Sequence, residues 1–406
     1  MDVAHLTIVG IIVVGYGLVG RKSEHWLITA PLVFGVAGIL TDLIGDPLDV
    51  GSERVHLLAE LALVVVLFHD ASTVRVRALR ADVGVPLRLL AIGFPLTVLA
   101  TFLATSALLP SLSVAGAVVL AASISPTDAG LGAPTILNPV VPGRIRRALN
   151  VESGLNDGLA TPIVLVALSR MSAEGGEVPT FFQLGVAPLL RGLAVGIGLG
   201  VIAGIATELS HDRGLSSKHG RAISVLILPF LALGFSEMIE ANGFIAAFVG
   251  GLVFGATSKT YTQDESAAEL LEVGSDLLGY VLWFLAGGLL LNVLDTGVRW
   301  QWVVLAVAAL TVLRIVPVAL SLLGTGLRWP TDAFIGWFGP RGLATIVFAL
   351  LAVDDLGVEH PEINDLVGVM AVIVAISVVA HGVSASPLST RYGAWISSLD
   401  APAESR

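Results

Sequence analysis

Long apolar windows alternate with short polar ones along the whole of this chain. A stretch of about 17–25 apolar residues can cross a bilayer as a helix. Thirteen such windows occur: 3–20, 25–42, 55–72, 87–109, 112–137, 147–170, 182–207, 221–239, 242–258, 270–294, 300–323, 331–353 and 363–386. The fifth and twelfth carry proline and glycine near their middles. The 258–272 stretch reads as a loop with a short amphipathic helix. The pattern predicts an all-α polytopic membrane protein of about thirteen transmembrane helices.

Composition agrees. Of 406 residues, 55% are hydrophobic and 13% charged, against about 25% charged in a soluble domain. The bilayer is therefore the main solvent. The 45 glycines suit close helix packing. No cysteine is present, which removes disulfides, thiolate metal sites and cysteine nucleophiles. A net charge of −10 argues against a nucleic-acid partner. Met1 and Asp2 lead into the first window with no basic segment and no small-residue cleavage pattern before Arg21 and Lys22. No signal peptide is read, and that window is expected in the mature protein.

Basic residues set the orientation. With the N-terminus outside, the odd-numbered connections and the C-terminus are cytoplasmic, and they hold sixteen of the 22 Lys and Arg. The outer connections hold Arg54, Arg170 and Arg299 and are otherwise acidic, as at Asp354, Asp355, Glu359 and Glu362. The run Arg144, Arg146, Arg147 belongs to this topological signal. Arg191, Arg314 and Arg341 fall inside windows.

An internal repeat follows. The fifth window carries Pro126, Thr127, Asp128 and Gly130; the twelfth carries Gly339, Pro340, Arg341 and Gly342. The twelfth helix comes seven after the fifth, an odd number, so they run in opposite directions. Paired interrupted helices in inverted halves point to a transporter with a midplane site. Helices 1–6 and 8–13 form the two six-helix repeats, with helix 7 as linker.

The chemistry centres on the sixth window. Glu152, Ser153, Asn156 and Asp157 lie on one face spanning about 140° of a helix. An intramembrane carboxylate costs at least ~2.5–3.5 kcal/mol and is rare without a use or a partner. A polar packing face would account for Ser153 and Asn156, but less readily for two acids. In the fifth window Pro126 disfavours helix at Ser125, which frees carbonyls such as that of Thr127 beside Asp128. Arg341 is expected to compensate Glu152 or Asp128, or the carbonyl end of a broken half-helix. Carboxylate, hydroxyl and carbonyl oxygens suit hard cations. Desolvation favours the neutral form of a carboxyl group, so a proton can compete with a metal ion for such a site. One site at Asp157, taken by H⁺ or Na⁺ in turn, suffices for exchange. A sodium-coupled solute symporter is the runner-up; it would need a larger cavity and a basic residue for an anion. The segments of an intramembrane aspartyl protease (Gly-x-Gly-Asp) or zinc protease (His-Glu-x-x-His) are absent, so no enzyme is read. His381, late in the last window, reads as a polar residue near the cytoplasmic interface. Trp283, Trp300, Trp302 and Trp329 read as core or interface-belt aromatics.

The run Glu152–Gly158 with Thr161 and Pro162, the pair Thr127 and Asp128, and Gly339–Gly342 resemble the sodium/proton antiporters of the Asn-Asp type, a family that includes the sodium/hydrogen exchangers. The stretches 241–252 and 67–71 are similar to further family segments. The resemblance implies a fold with crossed, unwound helices 5 and 12. It implies a transmembrane antiporter domain over 1–386, with helices 4–6 and 11–13 (about 87–170 and 300–386) as core, the remaining helices as a dimer interface, and 387–406 as a short cytoplasmic tail. It implies Asp157 as the ion- and proton-binding carboxylate, with Ser153 and the Thr127 backbone in the Na⁺ shell. Asp128 would be a further acid of the site, Asn156 a support, Glu152 a partner of Arg341, and Glu60 an acid at the domain interface. It further implies a homodimer in the cell membrane and no cofactor beyond the transported Na⁺ and H⁺. Asn156 in place of a second aspartate implies one cation per proton, hence electroneutral exchange.

Overall fold

The structure, a computed structural model, describes residues 3–23, 29–45, 52–74, 84–172, 186–263 and 265–399, and Glu404. Among these residues every regular element is helical, and each apolar window named above contains helix. Seven of the described helices are long and apolar enough to cross a bilayer; Val3–Val19, Ala30–Ile44, Val114–Ser123 and Gly243–Thr257 are shorter apolar ones. Large hydrophobic side chains such as Leu18, Ile202 and Val379 stand exposed, as on a surface solvated by lipid. The chain is a multi-pass membrane protein.

Two compact units divide it. The first takes in Met1–His56, Asp82–Ser172 and Tyr280–Arg406; the second takes in Leu57–Ala81 and Ala173–Gly279. The first unit thus holds the whole of the expected core and the first two helices as well.

Proline shapes the first unit. Pro95 lacks an N–H, so the Ala91 carbonyl loses its usual donor. The chain answers with a π-turn over Leu89–Gly93, in which the Phe94 N–H reaches the Leu89 carbonyl. The span Gly84–Leu108 continues through it. Ser113 caps the next helix, Val114–Ser123, by accepting from the Gly116 N–H at 3.0 Å. That helix stops short of Pro126, and Ala129–Ile136 resumes beyond it. The twelfth window is likewise split into Trp329–Trp337 and Leu343–Leu356.

The structure corrects three expectations. The eleventh window is not one helix but Trp300–Leu310 and Val312–Ser321, interrupted at Thr311 (φ −119°, ψ −97°). The 258–272 stretch is not mainly loop: a short helix, Lys259–Gln263, precedes a long one, Glu265–Thr296. The last helix, Ile363–Ser397, runs 35 residues and passes beyond the expected boundary at residue 386. Its final turns are packed, not free. Tyr392 stacks on Phe334 at 4.1 Å between ring centroids, and its hydroxyl meets the Thr331 hydroxyl at 3.1 Å. Pro387 is tolerated there within continuous helix.

The second unit is a close helix pack. Gly192, Gly196, Gly200 and Gly204 lie at four-residue spacing along Ala187–Asp212, facing Gly243–Thr257. A Cβ at Gly196 would stand 2.7 Å from the Ala246 carbonyl oxygen, so the backbones could not approach so closely with any larger residue. Asn242 caps the facing helix through the Ile245 N–H at 2.9 Å, and its own N–H reaches the Pro188 carbonyl at 3.0 Å. The 241–252 segment is therefore a packing face and a cap.

Candidate functional site

The site is built where the two broken helices cross in the first unit. The helix Gly143–Ser172 supplies its polar face. Glu152, Ser153, Asn156 and Asp157 are all buried, Asp157 at 8% exposure and Asn156 at 0%. Asn156 grips the break in the first broken helix with both ends of its amide. Its Oδ1 accepts from the Thr127 N–H at 3.2 Å, and its Nδ2 donates to Thr127 Oγ1 at 2.8 Å. The hydroxyls of Thr127 and Ser153 meet at 2.9 Å. Asp157 sits one turn beyond Ser153, and its carbonyl accepts from the Thr161 hydroxyl at 2.8 Å. Three residues singled out from sequence, Thr127, Ser153 and Asn156, are thus brought together at one helix break, with Asp157 buried one turn along the same helix.

Asp128, expected as a further acid of the site, caps two helix ends. Its Oδ1 accepts from the Leu131 N–H at 2.8 Å, and its Oδ2 accepts from the Leu343 N–H, also at 2.8 Å. One carboxylate therefore caps the N-termini of two half-helices from opposite repeats, where backbone N–H groups are orphaned and the dipole favours an anion. The Asp128 N–H also donates to the Pro340 carbonyl at 2.8 Å, which ties the two breaks backbone to backbone. Gly342 makes this possible, since a Cβ there would collide with the Asp128 carboxylate.

The pairing of Glu152 is also corrected. Its partner is Arg314, not Arg341: Arg314 Nη1 lies 2.6 Å from Glu152 Oε1, with both side chains 1% exposed. Arg341 is fully buried and turns to the carbonyl end of the first broken helix. Its guanidinium donates to the Ser125 and Pro126 carbonyls, the latter at 2.7 Å. It also reaches the Ala309 carbonyl at 3.4 Å, near the interruption of the eleventh window. Nothing in the sequence separates the two arginines, because both lie in apolar windows and only the helix crossing decides which faces Glu152. Arg314 lies three residues after Thr311, and its N–H donates to the Thr311 carbonyl at 3.1 Å, so the unforeseen interruption and the unforeseen partner lie in one turn. Glu60, on Glu53–Thr73, is half-buried and belongs to the second unit.

His381 is a functional candidate that sequence reasoning placed at an interface. It is 1% exposed, and Nε2 lies 2.9 Å from the Trp337 carbonyl, with Nδ1 at 3.2 Å from the Ser377 hydroxyl. The available signal was its spacing: Ser377 and His381 repeat the four-residue interval of Ser153 and Asp157.

A sequence profile described as sodium/hydrogen exchanger, transmembrane, matches residues 6–391. The chain belongs to the sodium/hydrogen exchanger family. Its fold is similar to that of the sodium proton antiporter MjNhaP1 from Methanocaldococcus jannaschii, with a TM-score of 0.74, 18% identity and coverage of 96% of this chain and 99% of that one. A probable Na⁺/H⁺ antiporter of Schizosaccharomyces pombe is 27% identical over 64% of this chain and 36% of its own length. An uncharacterized Na⁺/H⁺ exchanger of Mycobacterium tuberculosis is 27% identical over 90% of this chain and 71% of its own. A K⁺/H⁺ antiporter of Shewanella oneidensis is 26% identical over 82% and 58%. The chain spans about a third of the length of three of the yeast relatives it matches and 65% of a fourth.

Proposed function

We propose that this sodium/hydrogen exchanger family member exchanges protons for monovalent cations by alternating access to one site centred on Asp157. The observation that carries this reading is a buried carboxylate one turn from Ser153 and beside the Thr127 break, where an all-oxygen shell can form. Ser153 and Thr127 complete the shell. Asn156 fixes the break, Arg314 neutralises Glu152, and Asp157 carries the exchange. Na⁺ is the first choice of cation, with K⁺ the alternative suggested by the Shewanella relative. One carboxylate loaded in turn by H⁺ or a monovalent cation gives electroneutral one-for-one exchange. The protein would work as a homodimer in the cell membrane, N-terminus outside. A symporter of organic anions is disfavoured, because Arg314 and Arg341 at the crossing are engaged by Glu152 and by backbone carbonyls.

Proteoliposomes containing a pH-sensitive dye test the proposal. Added Na⁺ is expected to dissipate an imposed proton gradient, and an imposed membrane potential to leave the rate unchanged. If Na⁺, Li⁺ and K⁺ all leave the gradient intact at acid, neutral and alkaline pH, with the protein folded, the antiporter reading fails.

A further inference from the structure

The crossing joins four half-helix ends, each with unsatisfied backbone groups. Asp128 meets both N-terminal ends, and Arg341 meets the carbonyl end of Val114–Ser123. The fourth end, the carbonyl terminus of Trp329–Trp337, is met by neither. There the Trp337 carbonyl accepts from the Gly339 N–H at 2.8 Å, and His381 supplies a second, side-chain donor.

The hydrogen bonds fix the arrangement. The Trp337 oxygen is a carbonyl and can only accept, so His381 Nε2 carries the hydrogen across 2.9 Å. Ser377 Oγ accepts from the Arg341 N–H at 2.7 Å, which leaves the Ser377 hydroxyl hydrogen free to turn toward His381 Nδ1 at 3.2 Å. With its hydrogen on Nε2 the neutral imidazole donates to Trp337 and can accept from the Ser377 hydroxyl, while Nδ1 also stands 3.0 Å from the Ser377 carbonyl, to which only a hydrogen on Nδ1 could be donated. The ring also packs against the Trp337 indole, with centroids 5.1 Å apart. From His381 a continuous path of bonds runs through Ser377 to the Arg341 backbone. From the Arg341 guanidinium it passes to the Ser125 and Pro126 carbonyls, next to Thr127 and Ser153.

The repeat gives this a second support. The helix after each broken helix carries a hydroxyl and, four residues on, a titratable side chain: Ser153 and Asp157 in one repeat, Ser377 and His381 in the other. Ser153 in the first pair, and Ser377 and His381 in the second, contact the break of the helix before them. In the first repeat the second member is a carboxylate; in the second it is an imidazole bonded to backbone.

We propose that His381 is a positioning residue for the transport site: with Ser377 it locks the carbonyl end of the second broken helix, and through Arg341 it holds the first break against Asp157. The proposal rests on the antiporter reading for its transport readout, and amide hydrogen exchange tests it separately.

The experiment uses the full chain, as wild type and as His381→Ala, His381→Gln and Ser377→Ala. A glutamine can return one N–H to the Trp337 carbonyl. In proteoliposomes His381→Ala is expected to lower the maximal exchange rate at least fivefold. The cation concentration for half-maximal rate should stay within twofold, and His381→Gln should recover at least half of the rate. Amides over residues 338–345 should exchange at least tenfold faster in His381→Ala, and near the wild-type rate in His381→Gln. Ser377→Ala should follow His381→Ala in both measurements, and it serves in its place if His381→Ala does not fold. Wild-type amide protection in the alanine variants overturns the proposal, as does a loss of rate that glutamine does not recover. Absence of exchange by the wild type would count against the antiporter reading alone, and the amide measurement would still decide this one.

Discussion

The two broken helices have the same plan and opposite fillings. Each is interrupted near a proline, and each is gripped by a hydroxyl and a polar side chain from the helix that follows it in sequence. At the first break the grip comes from Ser153 and Asn156, and a carboxylate, Asp157, lies one turn on. At the second it comes from Ser377 and His381, and both are spent on the break itself. The first break thus has a carboxylate on the helix that grips it, while the second is closed by a serine and a histidine. A symmetric backbone can therefore carry a single site, because symmetry of the chain trace does not require symmetry of charge.

Removing the carboxylate of Asp157 should break the contrast most completely. Asp157→Asn is expected to reduce proton–cation exchange to the background of empty liposomes while leaving the protein folded; full exchange would move the site elsewhere. The next effect is on stability. Arg314→Ala leaves Glu152 buried without its counter-charge, at a cost of about 3–5 kcal/mol. Thermal unfolding in detergent should show the loss, and Glu152→Gln combined with Arg314→Met should recover most of it. Asp128→Ala strips the cap from two half-helices at once. Each cap is worth about 0.5–2 kcal/mol, so the deficit should exceed that of any substitution removing one cap, such as Ser113→Ala. Smallest is Thr345→Val, which removes the bond from the Thr345 hydroxyl to the Ser123 carbonyl and should cost about 1 kcal/mol.

The sequence announced some of this and hid the rest for physical reasons. Hydrophobic windows located the helices because lipid requires long apolar stretches. Pro126 and Pro340 marked the two breaks because proline cannot donate to a helix. The eleventh window gave no such warning: Thr311 is not a helix breaker, and Pro317, six residues on, suggested at most a kink. The polar face of Glu152, Ser153, Asn156 and Asp157 was legible from spacing alone. The division of labour between Arg314 and Arg341 was not, since it depends on which helices cross. Asp128 shows the same limit. An acid after a proline reads equally well as a ligand or as a cap, and only the presence of Leu343 on the far helix settles its use.

The last helix deserves a reckoning in length. Its 35 residues rise about 1.5 Å each, so it is roughly 52 Å long. The hydrocarbon layer is about 30 Å thick. The helix thus exceeds the thickness of that layer by roughly 20 Å, and near its C-terminal end Tyr392 stacks on Phe334 of Trp329–Trp337. A protein cut after Ser386, where the apolar signal fades, would keep every membrane-crossing turn and still lose this strut. Its edge lies at the end of the helix, not at the end of the hydrophobicity.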